Sequence, residues 1–280
     1  MKPKSRALTI LVVVTLIFLT IAYVLPVYVV LVTSLKTPNE ISHRQYLLPS
    51  SNLQFKNYAQ SFKLILPALI NSTIITLSVT ALCTLVGGLG GYYLSRTRTR
   101  FTKILFILVG VAMYLPYQVI LLPLVQMMAK TGLALTHLGL IGSNLILNIP
   151  FASVLMGTFF MGIPRELEEA AEVDGASRVH VFFRVISPVA VPAYVSVIII
   201  IFTQVWNEFL LALTLATPHT QTIQLKLTEI KGTFVALYNL QMAAALITLI
   251  VPLVFFLALS KYFIKGILAG ALKEIGRAHV

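Results

Sequence analysis

Apolar stretches almost free of charge recur along the chain, at Ala7 to Ser34, Pro67 to Leu94 and Ile104 to Ala129, then at Ile141 to Gly162, Ala193 to Ala216 and Gln241 to Ile264. A helix needs about 20 mostly apolar residues to cross a bilayer, so the pattern predicts six transmembrane helices, the fifth interrupted by one acid, Glu208. Barrel strands would be about 10 residues long with strict alternation, which these stretches lack. The chain therefore reads as an all-α membrane protein. The longest connection, Lys36 to Leu66, leaves no room for a separate soluble domain, and no internal repeat is visible.

Composition agrees. Mean hydropathy is +0.92, and only 11% of residues are charged, against about 25% in soluble domains. The formal charge of +12 would suggest nucleic acid in a soluble protein, but here it follows the membrane pattern. Fourteen of the 21 Lys and Arg fall at the two termini, in Arg96 to Lys103 and in the segment holding Arg165, Arg178 and Arg184; seven fall in the other connections. The positive-inside rule then puts both termini and those two connections in the cytoplasm, with no nucleic-acid partner. The first apolar run follows Lys2, Lys4 and Arg6 as a signal peptide would, but it is longer than an h-region and lacks a small-x-small site, so it reads as a retained span. The single cysteine, Cys83, permits no intrachain disulfide, and no cysteine-based metal site is expected.

Five of the nine acidic residues fall between Glu166 and Asp174. Pro164 suits a first helical turn, and Glu166, Glu168 and Glu169 suit the positive end of the helix dipole. Leu167, Ala170, Ala171 and Asp174 recur at helical spacing, Gly175 can end the helix, and Ser177 can cap a second one running through Val181, Phe182 and Val185 to Pro188. Paired alanines let a partner approach, while Glu169 and Asp174 offer carboxylates to a basic surface. On composition alone, a solvated amphipathic loop resting on lipid headgroups is the favoured reading.

Glu169-Ala170-Ala171, Asp174-Gly175-Ala176 and the downstream Pro188 and Pro192 resemble the signature loop of inner-membrane permeases of binding-protein-dependent ABC importers. The resemblance extends to Asn71-Ser72, Tyr93-Leu94, Pro116-Tyr117-Gln118 with Pro123, Gly132-Leu133 and Pro150-Phe151. Trp206-Asn207-Glu208-Phe209-Leu210, with Tyr262-Phe263, Gly266 and Ala269-Gly270, is similar to the carbohydrate-uptake branch, in the subunit similar to the smaller maltose-transport permease. Ser187 and Lys261 depart from that pattern, as does Thr222 to Phe234, a segment on the substrate side.

The resemblance implies a type I ABC importer permease fold with a coupling helix. Glu169 would pair with a basic residue of a separate ATPase subunit, Ala170 and Ala171 would pack against it, and Gly175 would make the turn, with Asp174 pairing or capping. Pro164, Pro188 and Pro192 would shape the loop. Implied partners are two ATP-binding subunits, a second permease that is a paralogue, an extracytoplasmic solute-binding protein, a carbohydrate-type solute and the lipid bilayer. No cofactor is expected in this chain; ATP and Mg would reside on the ATPase subunits of a bacterial or archaeal cytoplasmic membrane complex. The expected organisation is residues 1–66 as the first helix and external connection, 67–264 as a five-helix permease core with coupling loop 163–192, and 265–273 as a cytoplasmic tail. Residues 274–280, Glu-Ile-Gly-Arg-Ala-His-Val, back-translate as GAG ATC GGA AGA GCA CAC GTC, which reads like a sequencing-library adapter and is set apart as an artefact.

Within the membrane, Glu208 lies 15 residues beyond Ala193, about 22 Å along a helix, and with Gln204, Trp206 and Asn207 it forms a candidate solute pathway. Pairing with another helix for assembly is the alternative. Asn71, Gln118 and Asn148 are weaker candidates, since each can equally be a helix-packing hydrogen bond. Pro26, Pro116, Pro123 and Pro252 are candidate kinks. Gly87-Gly88-Leu89-Gly90-Gly91 lacks the Lys-Ser or Lys-Thr of a phosphate loop and reads as close helix packing. No Walker A, His-Glu-x-x-His or Gly-x-Ser-x-Gly pattern occurs, and His43, His137, His180 and His219 read as solvated loop residues, so no catalytic residue and no metal ligand is expected. An ATP-independent secondary transporter and a membrane-embedded enzyme are the competing functions; the first lacks the expected inverted repeats.

Overall fold

The computed structural model describes residues 6–97, 99–113, 116–230 and 237–277, with side chains for 8–261 of these. Among the described residues every regular element is helical. Two compact units are present: Met1–Leu66 with Lys226–Ile250, and Pro67–Leu225 with Val251–Val280.

In the first unit, α1 (Arg6–Ser34) is apolar on all sides, and the hydroxyls of Thr15 and Thr20 are satisfied by their own helix, donating to the carbonyls of Leu11 and Leu16. A helix in lipid must meet its polar groups internally, and these residues do so. The following connection is tied down rather than loose. Thr37 and Glu40 form a capping box on α2 (Pro38–Ser42). The Thr37 backbone N–H, more than the hydroxyls of Ser50 and Thr37, holds the Glu40 carboxyl below the usual carboxylate range. Lys36 is fully buried and donates to the Leu48 carbonyl. Asn57 donates to the carbonyls of Ser34 and Lys36, both at 2.9 Å, and accepts from Asn239 at 3.2 Å.

The second expected span begins earlier than its hydrophobic core. Helix α3 runs Lys56–Arg96 and contains Pro67 rather than starting there, because polar residues just outside the bilayer can continue a helix once it is nucleated. The third span is divided: α4 (Arg100–Ala112) is followed by a 3-10 turn, Tyr117–Ile120, and α5 (Leu121–Lys130), the two pieces bent by 99°. Pro116 sits at that break and Pro123 in the first turn of α5, whereas Pro26 and Pro252 lie inside continuous helices. Helix α6 (His137–Met161) matches the fourth span. After α7 (Glu166–Val173) come α8 (Arg178–His180), a π-helical stretch (Val181–Ile186) and α9 (Ser187–Val189), which form one continuous second helix.

The fifth expected span is corrected. Helix α10 (Val191–Trp206) stops at Trp206, and α11 (Leu210–Leu215) resumes after a non-helical break, so Glu208 is not on a continuous helix. Helix α12 (Ile223–Ile230) precedes α13 (Tyr238–Arg277), which continues as helix through the expected tail. The side chains of Tyr262, Phe263, Gly266, Ala269 and Gly270 lie outside the described ones, as do residues 278–280. Among the described residues, four helices are long and apolar enough to cross a membrane, or up to six spans if each of two bent pairs counts as one.

In the second unit the core gathers Val79 and Cys83 of α3, Ala152, Met156 and Phe160 of α6, Phe182 and Ile186 of the π stretch, and Val197 and Ile201 of α10. Apolar burial between helices is no driving force in lipid, so close approach has to supply the contact energy. The glycine cluster does this. A Cβ at Gly87 would stand 2.4 Å from the Ala152 Cβ, and one at Gly91 would stand 2.6 Å from the Gly157 nitrogen and the Ser153 oxygen. The phosphate-loop look of this segment has no structural counterpart, since it is helix throughout.

Candidate functional site

The loop after α6 is built by its punctuation. Pro164 lies just before α7 rather than in its first turn, and Arg165 takes the cap position. Glu166, Glu168 and Glu169 occupy the first turn, complementing the helix dipole. At the other end, the Gly175 N–H donates to the Glu172 carbonyl and the Ala176 N–H to that of Ala171, with Gly175 at φ +85°, a Schellman ending. No atom would meet a Cβ at Gly175, so glycine is required there by backbone conformation alone. Ser177 then caps the second helix by accepting from the His180 N–H at 3.4 Å.

Pro188 and Pro192 set the direction of the chain as it re-enters the apolar region. Neither has an N–H to donate to the preceding turn, and the chain bends by 77° at Ala190 between the second helix and α10. A π-helical stretch directly precedes Pro188, with the Ser187 N–H donating to the Phe182 carbonyl.

The neighbouring carboxylates of α7 face different ways. Glu168 turns inward: its Oε1 accepts from Arg96 Nε at 2.5 Å and its Oε2 from the Tyr92 hydroxyl at 2.9 Å, with both ion-pair side chains largely shielded (13% and 14% exposed). Glu169 and Asp174 are exposed and have no internal side-chain partner among the described residues. The alanine pair also divides. Ala170 is exposed, whereas Ala171 is partly buried against the unit's own core. The inward role of Glu168 was invisible in the sequence, because its partners stand more than 70 residues away.

A cavity of about 790 Å³ opens between α4, the 3-10 turn Tyr117–Ile120, α6 and the α10–α11 break. Gln118, Gln204, Asn207 and Glu208 line it, together with Tyr117 and Asn148. Glu208 has a definite job there. Its Oε1 accepts from the Tyr117 hydroxyl at 3.0 Å, and its two oxygens accept from the backbone N–H groups of Leu211 and Ala212, which opens α11. Glu208 thus borders the cavity and ties the Tyr117 turn to the start of α11.

Two pathway candidates are corrected. Trp206 is 2% exposed and stacks on Phe202 at 5.8 Å, so its ring is absent from the cavity lining. Aromatic surface comes instead from Tyr117, Phe151 and Phe209, which the sequence marked only as parts of motifs. Asn71 is also elsewhere. Its Nδ2 donates to the carbonyls of His219 (2.9 Å) and Gln221 (3.1 Å), and its Oδ1 accepts from His137 Nε2 at 2.9 Å. That bond also removes His137 from the set of merely solvated histidines. No group of three or more metal-ligating side chains is found among the described residues.

An acidic helix–turn–helix between apolar spans, and a largely apolar cavity carrying a few amides and one carboxylate, fit a membrane transport component, and comparison with known families decides which. Residues 84–268 match the model of the binding-protein-dependent transport system inner membrane component. The chain belongs to that family.

This permease is 31% identical over 262 residues to the glucose import system permease protein GlcU of Saccharolobus solfataricus, covering 91% of each chain. It is 32% identical over 256 residues to the melibiose/raffinose/stachyose import permease protein MelC of Bacillus subtilis, covering 90% of this chain and 92% of that one. Its fold is that of a chain in the crystal structure of a bacterial ABC transporter involved in import of the acidic polysaccharide alginate, with a TM-score of 0.77 at 19% identity, over 94% of this permease and 99% of that chain. It is thus a permease subunit of an ATP-driven importer, with the type I importer permease fold. The family match takes in the α7 loop, the cavity-lining residues and the glycine cluster alike.

Proposed function

We propose that this permease forms half of the translocation pathway for a sugar or related solute and receives the motion of a separate ATPase through Glu169, Ala170 and the Gly175 turn. The observation that carries the reading is the division of the two carboxylates: Glu168 is used up inside the chain, while Glu169 beside it projects with nothing to pair with among the described residues. Such a charge suits a basic cleft on a partner, where a charge pair chiefly fixes orientation and partner choice. Asp174, at the C-terminal end of α7, is a second exposed carboxylate.

The complex we infer has two ATP-binding subunits carrying ATP and Mg, a paralogous second permease and an extracytoplasmic solute-binding protein. The lysine and arginine bias orients both termini and the α7 loop to the cytoplasm. A carbohydrate-type solute is supported by the cargoes named for relatives, among them glucose, and melibiose, raffinose and stachyose. The cavity's amides and one carboxylate beside tyrosine and phenylalanine rings are the side-chain types that recognise hydroxylated solutes.

The test is a cross-link and an uptake assay on the reconstituted importer. With Cys83 buried and so silent, cysteine at position 169 is expected to cross-link to the ATPase subunit and not to lipid-side reagents. Uptake is expected to cease when the ATPase is made hydrolysis-dead. Uptake persisting without hydrolysis would favour a secondary transporter instead. For the cavity, Glu208→Gln keeps the shape and one acceptor but weakens the charge-assisted bonds to Tyr117 and α11. Uptake is expected to fall by roughly fivefold, about 1 kcal/mol, with assembly retained. Loss of the subunit from the membrane would assign Glu208 to assembly alone.

A further inference from the structure

We propose that α3 is a strut linking the coupling helix α7 to the connection 217–223 at the far end of the same unit, fastened by a latch at Arg96 and a clasp at Asn71 and Ser72. The proposal rests on the reading of the α7 loop as the surface moved by the ATPase.

At the latch, four bonds join the last turns of α3 to the segment Ile163–Glu168. Arg96 Nε and the Tyr92 hydroxyl hold the two oxygens of Glu168, Arg96 Nη2 donates to the Ile163 carbonyl at 3.2 Å, and Arg165 Nη2 donates to the Arg96 carbonyl at 3.1 Å. A shielded, multiply bonded ion pair resists exchange with water, so α7 cannot shift without pulling on α3 or breaking the set.

At the clasp, Asn71 holds two carbonyls of the connection 217–223, those of His219 and Gln221, and accepts from His137 at the start of α6. Ser72 Oγ accepts from the Ile223 N–H at 2.7 Å. Both residues are nearly buried, 9% and 3% exposed. These bonds fix backbone, not flexible side-chain tips, so a displacement of α3 along its axis is delivered to the connection.

Between the two, α3 is continuous helix without proline, 25 residues and about 38 Å long. Its glycines, where a helix would bend most easily, are pressed on the α6 backbone and on the Tyr194 ring. The covalent route from α7 into the membrane is softer: it passes a π stretch and a 77° bend before α10 begins. Force from α7 therefore has its stiffest path through Arg96.

The experiment measures stimulation of ATP hydrolysis by solute-loaded binding protein in proteoliposomes containing the complete importer. Arg96→Ala and Asn71→Ala are each expected to lower stimulation about fivefold or more, with basal hydrolysis and subunit stoichiometry unchanged. Arg96→Lys is expected to recover part of the loss by keeping the charge without the fork. Because the two sites lie on one path, the double variant should be no worse than the poorer single one. Full stimulation in either single variant, or losses that multiply in the double one, would overturn the strut. If Arg96→Ala fails to accumulate, Tyr92→Phe, which deletes one hydroxyl, takes its place with a smaller loss expected. Cross-linking of position 169 to the ATPase is monitored in parallel. An intact cross-link with unaltered stimulation rejects the strut alone, whereas its absence in the otherwise native protein rejects the coupling-loop reading.

Discussion

Glu169→Lys is expected to reduce solute uptake by roughly a hundredfold, about 3 kcal/mol, while the subunit still inserts in the membrane at its normal level. The side chain is exposed on α7 and holds nothing of its own fold together, so its replacement has no internal partner to strand among the described residues. What changes is the sign presented to a basic cleft, and like charges facing each other at an interface cost several kcal/mol. Uptake, ATPase co-purification and membrane level are measured together. Normal uptake with normal co-purification would falsify the role assigned to Glu169. The same change at Glu168 would be uninformative for this purpose, because it would break the Arg96 and Tyr92 bonds as well.

Gly91→Val is expected to act on the fold itself. A Cβ there would lie 2.6 Å from two backbone atoms of α6 and 2.9 Å from the Met156 Cβ. Backbone cannot swing aside as a flexible side-chain end can, so α3 and α6 must separate. Overpacking of this kind costs about 3 kcal/mol, and the lost helix contact adds to it. The thermal midpoint in detergent and the amount of folded protein in membranes should both fall sharply. Gly110→Val is the control: no atom lies within 4 Å of a Cβ there, and its midpoint should stay close to the native one. Equal behaviour of the two variants would show that the α3–α6 approach is not tight in the membrane.

The α7 loop was legible to within a residue or two, because each of its signals is local. Proline before a helix, carboxylates in its first turn, glycine at φ +85° after it and serine at the next cap all act within four residues of chain. The glycine cluster was legible as packing for a similar reason, since glycines inside an apolar span have few other uses. The break after Trp206 was not. Hydropathy carries on through Leu210 to Leu215, and only Glu208 hints at a stop, which becomes a reason once its oxygens are seen to bond the Leu211 and Ala212 N–H groups. Trp206 was misplaced for the same cause: with the helix assumed to continue, nothing said that the ring would turn onto Phe202.

By itself the sequence determined that this is a helical membrane protein with several spans, and it carried the loop by which it resembles importer permeases. Those properties depend on composition, on runs of apolar residues and on short motifs, all readable along the chain. Tertiary structure alone decided which of two adjacent glutamates faces outward, that Asn71 clasps a loop instead of lining the cavity, and that Tyr117 and Glu208 meet across 91 residues. Hydrogen-bond partners far apart in sequence leave no periodic trace, so neither the latch nor the clasp could be read before the helices were brought together.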